Sequence, residues 1–210
     1  KSISNRALII NALCYSPYEI RNLSDSDDTR VLYQSLYSNS NKFDIGHAGT
    51  AMRFLTAFLA KIVGDWEVTG SERMQQRPIK ILVDALNSLG AQISYLKNEG
   101  YPPLKIYGSN LTGKTLTLDG SISSQYITAL LLIAPTITNG LTLELTGDIT
   151  SQSYIDLTLK LMSKFGIQYQ WEGNKITVPE QNYFPVDFTV EADWSGASYW
   201  YEILSLCDSG

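Results

Sequence analysis

Two stretches of this 210-residue chain repeat one another. The first runs Trp66-Glu67-Val68-Thr69-Gly70, then Arg77-Pro78-Ile79-Lys80-Ile81-Leu82, then Leu89-Gly90-Ala91-Gln92-Ile93. The second runs Leu143-Glu144-Leu145-Thr146-Gly147, then Ser153-Tyr154-Ile155-Asp156-Leu157-Thr158, then Phe165-Gly166-Ile167-Gln168-Tyr169. Each reads as a short strand, a loop, an amphipathic helix ended by glycine, and a further strand. Ile79, Leu82, Val83, Leu86 and Leu89 fall on one face of a 3.6-residue period. Gly90 and Gly166 stand where a helix ends in left-handed backbone. A fainter third copy passes from Tyr18-Glu19-Ile20 into a helix starting near Asp27. A chain that repeats itself in this way is expected to fold as three like units.

Between those amphipathic helices lies a second set, Ser4–Tyr15, Thr50–Val63 and Ser124–Ala134, apolar nearly all round. A helix that is hydrophobic on every side must be buried on every side. The strands instead alternate: Leu116 and Leu118 against Thr115 and Thr117, and Leu141, Leu143 and Leu145 against Thr142, Glu144 and Thr146. Alternation is the mark of a sheet with one face in water. Buried helices wrapped by sheets exposed on one side make an inside-out α/β arrangement. Glu172-Gly173-Asn174, between Gln168–Trp171 and Lys175–Val178, reads as a hairpin turn. No long linker interrupts the pattern, so residues 1–210 read as one domain, with Ser195–Leu206 beginning whatever follows.

Composition bounds the function classes. A net charge of −5 argues against nucleic acid or an anionic membrane as partner. It leaves room for a small anion in a cleft, because screening over about 8 Å makes local cations count more than the total. The longest apolar stretch, Ala129 to Pro135, is far too short to cross a bilayer. The opening Lys-Ser-Ile-Ser-Asn-Arg carries no signal peptide, and the missing initiator methionine implies that sequence precedes Lys1. A cytoplasmic location follows from this reading. Cys14 and Cys207 sit in apolar surroundings and are expected to be small buried hydrophobes, rather than a disulfide.

Each buried helix has a small or polar start: Lys1-Ser2-Ile3-Ser4-Asn5-Arg6, Gly46-His47-Ala48-Gly49-Thr50, and Asp119-Gly120-Ser121-Ile122-Ser123-Ser124-Gln125. Free backbone N–H groups and the positive helix end make such termini anion sites, and adjacent hydroxyls and cations strengthen them. A single terminus of this kind says little, because Ser and Thr are ordinary N-caps. Three related by a repeat should point the same way, which predicts one electropositive hollow for a ligand with more than one anionic group.

Six motifs carry a resemblance. They are Lys-Ser-x-Ser-Asn-Arg at 1–6, Leu-Ser-Asp-Ser-Asp-Asp-x-Arg at 23–30 and Gly-x-Ala-Gly-Thr-Ala-Met-Arg at 46–53. Arg-Met-x-x-Arg-Pro-Ile at 73–79, Asp-Gly-Ser-x-Ser-Ser-Gln at 119–125 and Ser-x-x-Tyr-Ile-Asp at 151–156 complete the set. In order and spacing, over nearly the whole chain, they resemble those of the EPSP synthase family. The resemblance implies an inside-out α/β prism of three βαβαββ units, with buried helices and outer four-stranded sheets. The chain is then about half of a two-domain enzyme, and 195–210 starts the connection to the second domain. It also implies transfer of the enolpyruvyl group of phosphoenolpyruvate to the 5-hydroxyl of shikimate 3-phosphate, with release of phosphate and with no cofactor and no metal.

Carried over residue by residue, Lys1, Ser2 and Arg6 would contact shikimate 3-phosphate, with Arg6 on the ring carboxylate. A planar guanidinium suits a carboxylate because both can be bidentate. Ser123, Ser124 and Ser151 would hold the 3-phosphate, and Gln125 would lie over the ring and touch both substrates. Gly49 and Arg73 would face phosphoenolpyruvate, with Lys1 and Gln125. Lys1, near the bridging oxygen, is the expected catalytic residue of this half. The main acid/base carboxylates would belong to the other half, so this chain is expected to bind and not to turn over. The sister transferase acting on UDP-N-acetylglucosamine is the nearest alternative. It usually carries a reactive cysteine in a mobile loop, where this chain has none. A non-catalytic anion-binding module is the alternative of another class.

Several residues have plainer readings. His47, where the family more often has Asn, is expected to hydrogen-bond locally. Phe54 replaces a common Pro and could redirect its helix. Asp25, Asp27 and Asp28 read first as capping and dipole partners and not as metal ligands. Arg77 would, without the resemblance, be an exposed charge. Arg53, Arg30 and Asp193 divide between orienting the site or domain interface and plain surface pairing. Tyr199, Trp200 and Tyr201 are expected in the core or on a face that meets the second domain.

Overall fold

The computed structural model describes residues 1–192 and 194–207. Two helices open the chain, α1 (Ser2–Leu13) and α2 (Asp27–Leu36). The first repeat follows as β1 (Lys42–Asp44), α3 (Gly49–Lys61), β2 (Gly64–Thr69), α4 (Lys80–Ser88), β3 (Gln92–Tyr95) and β4 (Leu104–Gly108). The second is β5 (Thr115–Asp119), α5 (Ser124–Ile133), β6 (Leu141–Thr146), α6 (Gln152–Lys164), β7 (Gln170–Glu172) and β8 (Lys175–Val178). A last helix, α7 (Trp194–Leu206), ends the described chain. Each repeat is thus a complete βαβαββ unit.

The two sheets have one topology. Their orders are β1-β2-β4-β3 and β5-β6-β8-β7, with the outer pair parallel (β1 with β2, β5 with β6) and the rest antiparallel. Each parallel pair needs a crossover, and the inner helix supplies it. The hairpin turn lies at Gly173, whose φ of +58° suits a tight β7–β8 connection. β7 starts at Gln170 and not at Gln168, because the backbone N–H of Gln168 is taken by the Gln181 side chain at 2.9 Å.

The inner helices are buried as their composition demands. Every residue from Ile3 to Asn11 in α1 and from Tyr126 to Ile133 in α5 is buried, as is most of α3. Truncating one such side chain, Leu130 to Ala, would cost about 2–5 kcal/mol. The outer helices bury one face only: Leu82, Val83 and Leu86 on α4, and Ile155, Leu159 and Met162 on α6. Both end in the same device. Ala91 N–H donates to Leu86 O at 3.0 Å around Gly90 (φ +104°), and Ile167 N–H to Met162 O at 3.1 Å around Gly166 (φ +89°). Left-handed backbone at those points is what glycine permits.

The third unit differs from the expectation. Among the described residues it has no four-stranded sheet, only α1, α2 and one parallel bridge between Arg21 and Thr189. Arg21 N–H donates to Phe188 O at 3.0 Å and Val190 N–H to Arg21 O at 2.9 Å, so this unit draws on both ends of the chain.

Other expectations are corrected. Cys14 is half-buried at the C-cap of α1 and Cys207 is exposed beyond α7, so neither is a core residue, and both are free thiols. Tyr199, Trp200 and Tyr201 are between 61% and 70% exposed, which removes them from the core. Ile203, Leu204 and Leu206 are exposed beside them, so α7 presents apolar surface that this fold does not cover. Phe54 does not redirect α3, which runs unbroken with Phe54 buried inside it. Asp193 and residues 208–210 lie outside the described residues. Among the described residues no helix is long and apolar enough to cross a membrane.

Candidate functional site

The starts of α1, α3 and α5 converge. Lys1 and Ser2, Thr50, and Ser123 to Gln125 line one hollow of about 300 Å³, closed by Arg6, Phe54 and Tyr154. α5 starts there because Ser123 caps it, its hydroxyl accepting from Gln125 N–H at 3.4 Å. Gln125 reaches across to α3, donating to Thr50 Oγ1 at 3.4 Å. α3 is held by a carboxylate from outside its own sequence. Asp28, at the start of α2, accepts Thr50 N–H at 3.0 Å and pairs with Lys1 Nζ at 2.8 Å. One aspartate therefore fixes the start of a helix and the ammonium of the hollow together.

Arg6 sits at the back of the hollow, 4% exposed. Nε donates to Thr158 Oγ1 at 2.7 Å and Nη1 to Ser2 O at 2.8 Å. Nη2 donates to Thr128 Oγ1 at 3.2 Å and to Tyr154 O at 3.5 Å. The cation also lies over the rings of Phe54 and Tyr154, at 5.7 and 5.9 Å. None of these partners is a carboxylate. Burial pulls the Arg6 pKa down to about 10, so it stays charged at neutral pH without a buried counter-ion.

Alignment of the inner helices by their first residue explains the pattern. Arg6, Arg53 and Thr128 are each the fifth residue of their helix. Arg53 repeats Arg6's geometry: it donates back to the start of its own helix, Gly49 O at 3.2 Å, and lies over the Tyr126 ring at 5.8 Å. It also donates to Met74 Sδ at 3.6 Å and to Pro78 O at 3.0 Å, which Tyr126 Oη also reaches at 2.6 Å. Arg53 is buried and its pKa is lowered, chiefly by desolvation and also by repulsion from Arg77. It orients the α3 start against the loop before α4. It is not a surface pair, whereas exposed Arg30 is one, bonded to Asp27.

A second hollow, about 510 Å³, is lined by His47, Arg73, Met74 and Arg77. Its Arg77 guanidinium is packed against Gly49, the first residue of α3, so closely that any Cβ there would collide with it. Arg77, and not only Arg73, is therefore the cation at this helix start. His47 is exposed, and its Nδ1 pairs with Ser71 Oγ at 2.8 Å, the local role expected of it. Ser151 is the N-cap of α6 and is not among the residues lining either hollow; its helix contributes Tyr154 instead. Asp25 and Asp27 are exposed, and among the described residues no three metal-ligating side chains gather.

A larger hollow, about 870 Å³, lies at the opposite ends of the same helices, beside Leu13, Ile62 and Pro135. Helix C-termini present carbonyls and partial negative charge, the wrong sign for an anion. The smaller hollow at the N-termini is the better anion site.

Sequence reading missed Asn5, Thr50, Phe54 and Tyr154 as wall residues and underrated Arg77 and Asp28. For Arg53 and Thr128 the signal was present, since both occupy the position of Arg6 in their own repeats.

Comparison with known proteins agrees with this architecture. The family model for EPSP synthase (3-phosphoshikimate 1-carboxyvinyltransferase) matches residues 31–204. A 3-phosphoshikimate 1-carboxyvinyltransferase of Bacteroides fragilis (strain YCH46) is 56% identical over 207 residues, covering 98% of this chain and 50% of the relative. One from Photobacterium damsela subsp. piscicida is 42% identical over 228 residues, covering 95% and 54%. The solved structure of EPSP synthase from Acinetobacter baumannii superimposes with a TM-score of 0.83 at 22% identity, over 95% of this chain and 50% of that one. The chain spans about half the length of the curated relatives it matches. With a family model covering most of its residues and an α/β fold built from two like four-stranded sheets, the chain belongs to the EPSP synthase family.

Proposed function

We propose that this chain is the shikimate-3-phosphate-binding half of a 3-phosphoshikimate 1-carboxyvinyltransferase. The reaction joins the enolpyruvyl group of phosphoenolpyruvate to the acceptor's 5-hydroxyl and releases phosphate. The observation that carries this reading is Arg6, a buried guanidinium whose partners are all neutral, at the back of a hollow where three helix starts meet. A buried charge without a partner is costly, and an anionic ligand supplies the partner.

In this reading Lys1, Ser2 and Arg6 take the ring carboxylate side of the acceptor, while Ser123 and Ser124 take its 3-phosphate. Gln125 spans acceptor and donor. Gly49, Arg73 and Arg77 take the anionic end of phosphoenolpyruvate, where two guanidiniums and a side-chain-free backbone leave room for a small, doubly charged group. Lys1, held by Asp28 at 2.8 Å, is placed to offset charge at the bridging oxygen. Addition of a proton to the methylene carbon needs an acid that these residues do not provide. The remaining half of the enzyme would supply it and, on closing, exclude water.

Calorimetric titration with shikimate 3-phosphate, against UDP-N-acetylglucosamine as the control, tests the assignment. Binding of the first and not the second is expected, with no phosphate released when phosphoenolpyruvate is added to this chain alone. Preference for the nucleotide sugar would overturn the acceptor assignment, and phosphate release would overturn the division of labour.

A further inference from the structure

One wall residue of the first hollow carries a donor that nothing in the fold uses. Asn5 is wholly buried and is among the residues lining the hollow, with Lys1 and Arg6, yet its Nδ2 has no hydrogen-bond partner. Buried amide donors are almost always satisfied, so an unsatisfied one beside a ligand-sized space points to an acceptor that arrives with the ligand. The other end of the same amide is firmly occupied. Thr29 Oγ1 donates to Asn5 Oδ1 at 2.7 Å, and Ser26 Oγ approaches Thr29 Oγ1 at 3.1 Å. With the Thr29 proton directed to Asn5 Oδ1, Thr29 Oγ1 is left to accept from the Ser26 hydroxyl, and in this arrangement Nδ2 is the end of the amide without a partner. Thr29 is itself 1% exposed, so water does not compete for it.

We propose that Asn5 is a ligand-contacting residue, donating through Nδ2 to an oxygen of the bound acceptor, and that Thr29 is a positioning residue that holds the amide in the donating orientation. This rests on reading the hollow as the acceptor site. Asn5 differs in kind from the cations around it. Lys1 and Arg6 attract negative charge from any direction, whereas a fixed neutral amide accepts only an oxygen at one place. It therefore selects among anions that the cations alone would hold alike.

The test is calorimetric titration of the chain with shikimate 3-phosphate in five forms: wild type, Ser124→Ala, Asn5→Asp, Thr29→Val and Thr29→Ser. Asn5→Asp keeps shape and the Thr29 bond but replaces the donor by a carboxylate, and should weaken binding about tenfold or more. Thr29→Val should weaken it by about threefold to tenfold, and Thr29→Ser should bind as wild type does. Ser124→Ala weakened with Asn5→Asp unchanged would overturn the proposal and leave the hollow intact. No binding by wild type, or no loss in either variant, would overturn the reading of the hollow and this proposal with it. If Asn5→Asp fails to unfold cooperatively, the side-chain amide resonance of Asn5 in ¹⁵N-labelled wild type decides. A shift on saturation supports the contact, and an unmoved resonance overturns it.

Discussion

The two complete units share a backbone but differ where their inner helices begin. Both have the same sheet order, the same parallel pair and the same glycine-closed outer helix. α3 nevertheless starts sealed: Asp28 takes Thr50 N–H, Arg77 covers Gly49, and Arg53 ties Gly49 O to the following loop. α5 starts open, with only the 3.4 Å cap from Ser123, and carries Thr128 where α3 carries Arg53. The repeat fixes where each helix points, and the residues of its first turn decide what it offers there. Thr128 uses its place to accept from Arg6, so the unit without an arginine serves the arginine of another.

The largest expected effect tests the shared backbone. Gly140, just before β6, has φ +67°, and a Cβ there would collide with the carbonyl of Val178. Gly140→Ala should cost about 3 kcal/mol or more in urea unfolding. Gly64, at the start of β2 with φ +156°, meets the Trp66 indole instead, and its substitution should cost less because the obstacle is a side chain and not backbone. Equal costs would break the distinction.

Next is Arg6→Met. Loss of a charge-assisted contact should weaken shikimate 3-phosphate binding by about 1.5–3 kcal/mol, read by calorimetry. The same change should leave stability unchanged or raised, because it removes a buried charge that has no counter-ion. The pH dependence has the matching sign. The folded-state pKa of Arg6 is depressed to about 10, so below that pH its charge opposes folding, and the opposition is relieved as pH rises through about 10. Anion affinity should fall over that same window, as titrations at pH 8 to 11 would record.

Smaller effects probe the two helix starts directly. Asp28→Ala should destabilise by about 1 kcal/mol, the worth of an N-terminal acceptor, while loosening Lys1. Ser123→Ala should cost only about 0.5 kcal/mol, because its cap bond is long. Thermal melts of the pair should rank Asp28 above Ser123; the reverse order would mean that α5, not α3, has the sealed start.

The repeat made the scaffold legible. The all-round apolar runs marked the inner helices, the alternating Leu/Thr pattern marked the sheets, and Gly90 and Gly166 marked where α4 and α6 stop. The third unit was less legible, because its bridge joins Arg21 to Thr189 and no local pattern links them. At the hollow, the small and charged residues of each helix start were visible in sequence. Asp28 was not visible as the cap of α3, since it lies 22 residues away and near its own helix. Arg77 looked like an exposed charge until its packing on Gly49 was seen. The aromatic run in α7 suggested burial by composition alone, but burial also needs a facing surface, and among the described residues none covers it.

The neutral company kept by Arg6 bears on how the protein should be handled. A molecule that buries a cation without its counter-ion is incomplete until a salt provides one, so the choice of buffer becomes part of its folding. An anion at 100 times its dissociation constant would add about 2.7 kcal/mol. Melting temperatures taken in phosphate or sulfate should therefore exceed those taken in chloride at equal ionic strength.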